Sequence, residues 1–494
     1  MLQRILYNEK FWQSAAITLI LFCVGLFAYT NKLIYLGVPF VLLFVALLFV
    51  NWKTAWWILL FSIPCSIQIW FFNDRLGTSV PDEPIMGMFL ILGIVLIAWS
   101  PKVLPKWWWR NPLVLIVALQ YIWTFITVLF SHELLFSVKF FLAKSWFLMA
   151  YFIVPIWIFK TKSDFKKGFL LLIVPTLITA LIIFLRHGIQ YQFMFRRVEL
   201  AIGELYYNHV DYSTFISMIF PLVVVAYPLT RKLSVIWRWL ILAAIIFLLP
   251  AIYLTYARAA VLAVIFSLVV MVAIRQKWVK ILMPACYGFV ALIIIYMSTG
   301  DHLMEFRPNF QKTYMRDNFI DHVKATIKGK DMSSVERIYR WIGGVRMSKD
   351  EPLYGFGPNS FYYHYKPYTI STFRTWVSRN EEKSTSHNYF LYMLTEQGWP
   401  AMILYAILLM VYFAHAQKVY HRWKDRFYKS ATMGLAMMFA AGFVNNFFSE
   451  LNETHKVGAL FYLSMSLLVV LDYMSRQEEK ALKKASIDET NTDS

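Results

Sequence analysis

The stretch 240-LILAAIIFLLPAIYLTYA-257 contains no charged residue, and its apolar side chains are continuous rather than alternating. A bilayer core requires about 20 such residues per helix. A barrel strand would instead alternate apolar and polar positions, so the run predicts a membrane-spanning helix. The segment 113-LVLIVALQYIWTFITVLF-130 reads the same way. Outward from these two, similar blocks recur through a chain of 494 residues that is 59% hydrophobic and 18% aromatic. The length rule places about 12–14 spans along it. The predicted fold is all-α: a polytopic membrane helix bundle. The second and third of the expected spans start near Leu33 and Thr54, with Pro64 interrupting the third, and Gly398 with Pro400 is expected to bend a late one.

The formal charge is +19, and its distribution predicts orientation. The loops 101-PKVLPKWWWR-110, 160-KTKSDFKK-167, 230-TRKLSVIWR-238, 275-RQKWVK-280 and 418-KVYHRWKDRFYK-429, with the tail from Arg476, fall on alternate sides of successive spans and therefore on one face. Positive residues mark the cytoplasmic face. Both termini are expected there. The intervening loops, among them 131-SHELLFS-137, the segment from Arg186 to Asp211, the turn at Arg258 and a long loop between Thr299 and His387, are expected to be extracytoplasmic.

This placement assigns the basic charge to topology and to contact with membrane lipid, and it excludes nucleic acid as the partner. Cys23, Cys65 and Cys286 stand in apolar blocks without metal-ligand spacing and read as small hydrophobes. The first apolar stretch is too long for a signal peptide and reads as a retained helix.

Loops longer than about 15 residues usually carry function, and the loop from Thr299 to His387 is far longer. Within it, 335-VERIYRWIGGVRM-347 places Val335, Ile338, Ile342 and Val345 on one helical face, with Arg337 and Arg340 on others. A turn-rich stretch, 352-PLYGFGPNSF-361, follows, and then the start of the next span. Ser384 or Ser386 as its N-cap would put His387 in the first helical turn. The free amides of a helix N-terminus favour a neutral imidazole and attract phosphate, which suits a general base.

The tract 256-YARAAVLAVI-265, the pair Arg337 and Trp341 followed by 352-PLYGFGPNSF-361, and 387-HNYFLYMLTEQGWPAMIL-404 together resemble, in order and separation, the hallmark segments of the O-antigen ligase and O-antigen polymerase superfamily. The resemblance covers about residues 245–410 and includes the extracytoplasmic loop 299–387. It leaves 1–244 as an N-terminal transmembrane region, 411–475 as C-terminal transmembrane helices and 476–494 as a cytoplasmic tail.

The resemblance implies a bundle similar to GT-C-type glycosyltransferases, in the bacterial inner membrane. It implies a cell-envelope enzyme of lipopolysaccharide or other polysaccharide biosynthesis. Such an enzyme moves a glycan from a polyprenyl diphosphate carrier to a hydroxyl of lipid A-core, of another glycan or of a protein. The family's chemistry is inverting and independent of metals and other cofactors. Carried onto matching positions, His387 is the base, and Arg258 with Arg197 or Arg196 binds the diphosphate. Arg337, Asn388 and Lys144 are supporting residues.

The residues are compatible with this chemistry, because guanidinium groups can stabilise a departing diphosphate bidentately. Asp317 and Asp321, one helical turn apart, are the nearest approach to a metal-binding carboxylate pair and read as solvated. Simpler roles also fit single residues: His387 as an interface residue, Arg258 and Lys144 snorkelling, and Trp341 and Tyr354 packing at the membrane surface. Polymerase activity differs from ligase activity only in the acceptor. A secondary transporter would match the span count, and an assembly scaffold would use the loop only as a contact surface.

Overall fold

The computed structural model describes residues 9–30, 34–71, 76–232, 234–299, 332–369 and 385–492. The chain divides into two compact units, Met1–Phe61 and Ser62–Ser494. The first contains α1 (Glu9–Thr30) and nearly all of α2 (Ile34–Ser62). Helix α2 holds both of the spans expected to start near Leu33 and Thr54, joined through non-helical backbone at Asn51.

The second unit opens with an antiparallel hairpin, β1 (Ile67–Phe71) and β2 (Leu76–Val80), in which Ile67 pairs with Val80. The bundle follows: α3 (Asp82–Trp99), α4 (Pro112–Leu129), α5 (Leu134–Ile158), α6 (Lys162–Tyr191), α7 (His209–Ala226), α8 (Val235–Tyr253), α9 (Arg258–Arg275) and α10 (Val279–Ser298). After the loop helix α11 (Met332–Asp350) come α12 (Tyr389–Arg422), α13 (Arg426–Phe447) and α14 (His455–Thr492). Among the described residues, eleven helices are long and apolar enough to cross a membrane, with two shorter apolar ones beside them. The protein is a multi-pass all-α membrane bundle.

Hydropathy does not say which helices are inside, because lipid is as apolar as leucine. Small and polar residues do. Helix α13 carries Gly434, Ala440, Ala441, Gly442, Asn445 and Asn446, all buried, and packs along α7 and α9. Asn445 Nδ2 donates to Ser217 Oγ of α7 at 3.1 Å. The apolar window of α14 is 89% buried, against 17% for α8, so α14 is a central helix and α8 faces lipid.

Charge networks at the two ends agree with the expected alternation of loops from α3 onward. At one end Asp472 binds Arg422 at 2.6 Å and lies 3.4 Å from His415, while Lys162 pairs with Asp425 at 2.8 Å. At the other, Thr454 donates to Asp211 at 3.0 Å and Tyr256 to the Phe193 carbonyl at 2.6 Å.

Candidate active site

Two short contacts tie the end of α9 and the start of α10 to α12. His421 Nε2 lies 2.8 Å from the Ile274 carbonyl, and the Val279 amide donates to Gln417 Oε1 at 3.1 Å. The two helices therefore run parallel, and Arg258, heading α9, lies at the same end of the bundle as the start of α12. The segment carrying Arg196 and Arg197 joins this end through Phe195, whose ring meets Tyr256 edge-on at 5.1 Å. Arg197 is exposed and Arg258 half-buried.

The start of α12 differs from expectation. Asn388, not Ser384 or Ser386, is the N-cap: its backbone is extended and its side chain accepts from the amides of Phe390 and Leu391 at 2.9 and 3.1 Å. Ser386 instead donates to the Asn388 carbonyl, and Ser384 lies outside the described residues. His387 stands one residue before the cap, in left-handed backbone at φ 49°. A non-glycine residue held there is strained by about 1–3 kcal/mol, a cost typical of functional positions.

The neighbours of His387 come from two directions. Its Nδ1 is buried, lacks a hydrogen-bond partner and lies 3.8 Å from Glu450 Oε1, in the turn between α13 and α14. The His387 backbone amide also approaches the Glu450 carboxylate. Burial, with Arg340 and Arg337 close by, holds the imidazole well below its ordinary pKa. Burial pushes the Glu450 carboxyl up to about 7 against the pull of the same arginines. At neutral pH the imidazole is therefore uncharged, and the contact becomes an ion pair only when His387 takes a proton.

Both arginines come from α11, whose Trp341 meets Phe447 at 6.2 Å. Its buried stripe runs through Val335, Tyr339, Arg340 and Met347, whereas Val345, expected on the apolar face, is 46% exposed. Gly343 and Gly344 let the helix approach its neighbours: a Cβ at Gly344 would meet Thr395 at 3.2 Å.

The turn-rich stretch after α11 docks into a break in α12. Gly398 leaves helical geometry at φ 77° and ψ −179°, as Gly398 with Pro400 led one to expect. The freed carbonyls find partners across the loop. The Phe356 amide donates to Thr395 O at 3.0 Å, the Gly357 amide to Glu396 O at 2.9 Å, and the Trp399 amide to Pro352 O at 3.0 Å. The buried Glu396 carboxylate accepts from the amides of Asn359 and Phe361 at 2.5 and 3.1 Å. These bonds cross-link the 352–361 stretch to α12.

The structure brings Arg337 and Asn388 to His387, and places Arg258 and Arg197 at the same end of the bundle. The Arg196 side chain is outside the described residues, as are Asp317 and Asp321. Lys144 is buried against Glu453 at 3.1 Å rather than presented to solvent. The sequence offered Glu450, with Asn445 and Asn446, as a cavity-lining residue, but it did not place Arg340 and Glu450 beside His387. Arg340 stands three positions from Arg337, on nearly the same helical face; for Glu450 the signal was an acidic residue at the outer end of a span. Among the described residues no group of three or more His, Cys, Asp or Glu side chains is disposed to hold a metal.

Residues 243–406, from within α8 through α11 to the middle of α12, match the family model described as O-antigen ligase. No curated protein matches the chain. The matched segment contains Arg258, Arg337, Arg340 and His387, whereas Glu450, Lys144 and Arg197 lie outside it. Over residues 243–406, about a third of its length, the chain is thus similar to the O-antigen ligase family.

Proposed function

We propose that this protein transfers a glycan from a polyprenyl diphosphate carrier to an acceptor hydroxyl at the extracytoplasmic face of the bacterial inner membrane, as an O-antigen ligase-like enzyme. The observation that carries the reading is His387, neutral and strained ahead of a capped helix, beside Glu450 and two arginines.

The acceptor oxygen attacks the anomeric carbon as the bond from that carbon to the phosphate oxygen breaks, inverting the configuration. The acceptor's proton passes to Nε2 of His387, the ring nitrogen not facing Glu450, and the electron pair leaves with the polyprenyl diphosphate. Glu450 stabilises the imidazolium that forms, as an oriented carboxylate does for any histidine base. Arg340 and Arg337, with Arg258 and Arg197 or Arg196 from the neighbouring turns, take the charge of the diphosphate, and no step needs a metal. Ligase is preferred over polymerase by family analogy.

The test uses purified protein in proteoliposomes with a synthetic polyprenyl diphosphate disaccharide. Acceptors are lipid A-core or a second donor molecule. His387→Ala is expected to reduce single-turnover transfer by about a thousandfold; wild-type rates in that variant would refute His387 as the base, and no transfer by the wild-type protein would refute the reading. Polymer formed from donor alone would replace ligase by polymerase.

A further inference from the structure

Beneath His387 lies a charged group for which the transfer chemistry has no direct use. Lys144, in the middle of α5, is buried within a span. Its Nζ donates to Glu453 Oε1 at 3.1 Å, and the same oxygen accepts from the Tyr389 hydroxyl at 2.5 Å. The Lys144 ammonium also lies 5.1 Å from the centre of the Phe140 ring. One carboxylate oxygen thus ties α5, the first residue of α12 and the turn between α13 and α14.

The two ends of this tie adjoin the base and its partner. Tyr389 follows His387 by two residues, and Glu453 follows Glu450 by three, with the Glu453 amide donating to the Glu450 carbonyl at 3.3 Å. The rest of the turn is also anchored. Asn446 Nδ2 donates to Asn452 Oδ1 at 2.9 Å, the Asn452 amide returns a bond to Asn446 Oδ1 at 2.8 Å, and Thr454 bonds to Asp211. On the other side, Asn388 Nδ2 donates to the Phe447 carbonyl at 3.0 Å.

Stability alone gives little reason to place an ammonium here, since a buried ion pair is often no better than a well-packed apolar pair. Position is a stronger reason. Apolar contacts let helices slide, whereas charge-assisted hydrogen bonds fix distance and direction.

We propose that Lys144, Glu453 and Tyr389 form a buried positioning triad that sets the distance between His387 and Glu450. The proposal rests on the transferase reading and assigns the triad no contact with substrate. Its members act through the base: a shift of about 1 Å at the base is sufficient to slow the chemistry by up to a hundredfold.

The test measures kcat and donor KM in the proteoliposome assay above for Tyr389→Phe, which removes one hydroxyl, and Glu453→Gln, which removes the charge. Each is expected to lower kcat about tenfold with donor KM within about twofold. In a Glu450→Gln background, Tyr389→Phe is expected to have no further effect, because the partner it positions is gone. A purely structural role would instead give the same loss in both backgrounds. Unchanged kcat in Tyr389→Phe and Glu453→Gln, or additive losses, would overturn the triad. Two controls separate the claims: no transfer by the wild-type protein overturns the transferase reading, whereas transfer by the wild type that is lost in His387→Ala but unchanged in Tyr389→Phe overturns the triad alone.

Discussion

At the scale of single residues, the properties of His387 follow from its position one residue outside a helix. The Asn388 cap satisfies the first amides of α12, so the imidazole is not needed there and turns instead toward Glu450. Burial and the charges of Arg340 and Arg337 disfavour its protonated form. A bound diphosphate offsets those two arginines, so the donor itself raises the basicity of His387. The sign is testable. Glu450, raised to about 7 and needed as its carboxylate, sets the acid limb of kcat/KM in the wild type; in Glu450→Gln that limb belongs to His387 and is expected well below the ordinary imidazole pKa of about 6.5, with the limb of kcat in the same variant at higher pH. Coincident limbs would contradict this coupling. Glu450→Gln is expected to lower kcat by about a hundredfold with little change in donor KM, since the carboxylate acts only as the imidazolium forms.

At the scale of elements, the break in α12 converts a bend into a docking site. Pro400 has no amide to bond Glu396 O, and the Trp399 amide turns to Pro352 O, so two carbonyls of the helix are left for the loop amides of Phe356 and Gly357. Gly398 is required twice over: its φ is positive, and a Cβ would sit 2.0 Å from the Leu353 carbonyl. Gly398→Ala is expected to cost at least about 2 kcal/mol, read as a lowered melting temperature in detergent. Glu396→Leu leaves the amides of Asn359 and Phe361 without their acceptor. It is expected to expose the 352–361 stretch to protease and to lower transfer, and equal protection in that variant would show that the carboxylate does not hold the loop. The bend was legible in the residues Gly398 and Pro400 themselves. Its partner was not, because hydrogen-bond pairing across a loop has no signature in composition or period.

At the scale of the molecule, loops from α3 onward alternate between a basic face and a face that holds His387, Glu450 and Arg258. Cysteines introduced at Tyr363 and Lys429, in a protein with Cys23, Cys65 and Cys286 replaced, are expected to react with a membrane-impermeant reagent from opposite sides, Tyr363 from outside the cell. Labelling of both from one side would refute the orientation. The charge networks explain why the alternation persists, since each end of the bundle is cross-linked by its own ion pairs: Asp472 with Arg422 at one, Lys144 with Glu453 toward the other.

Hydropathy and charge are properties of each stretch of chain by itself. The sequence alone therefore determined that this is a helical membrane protein, which loops share a face, and that His387 opens a late span in a recognisable motif. Tertiary structure decided which groups meet that histidine. Tyr389 and Glu453 are 64 positions apart, and Lys144 and Glu453 are 309 apart. No local pattern encodes such pairs, because they exist only once the ends of separate helices are packed together. The same reason explains Lys144. Read alone it was a snorkelling cation or a supporting residue, and only the packed bundle supplies the carboxylate that compensates its buried charge.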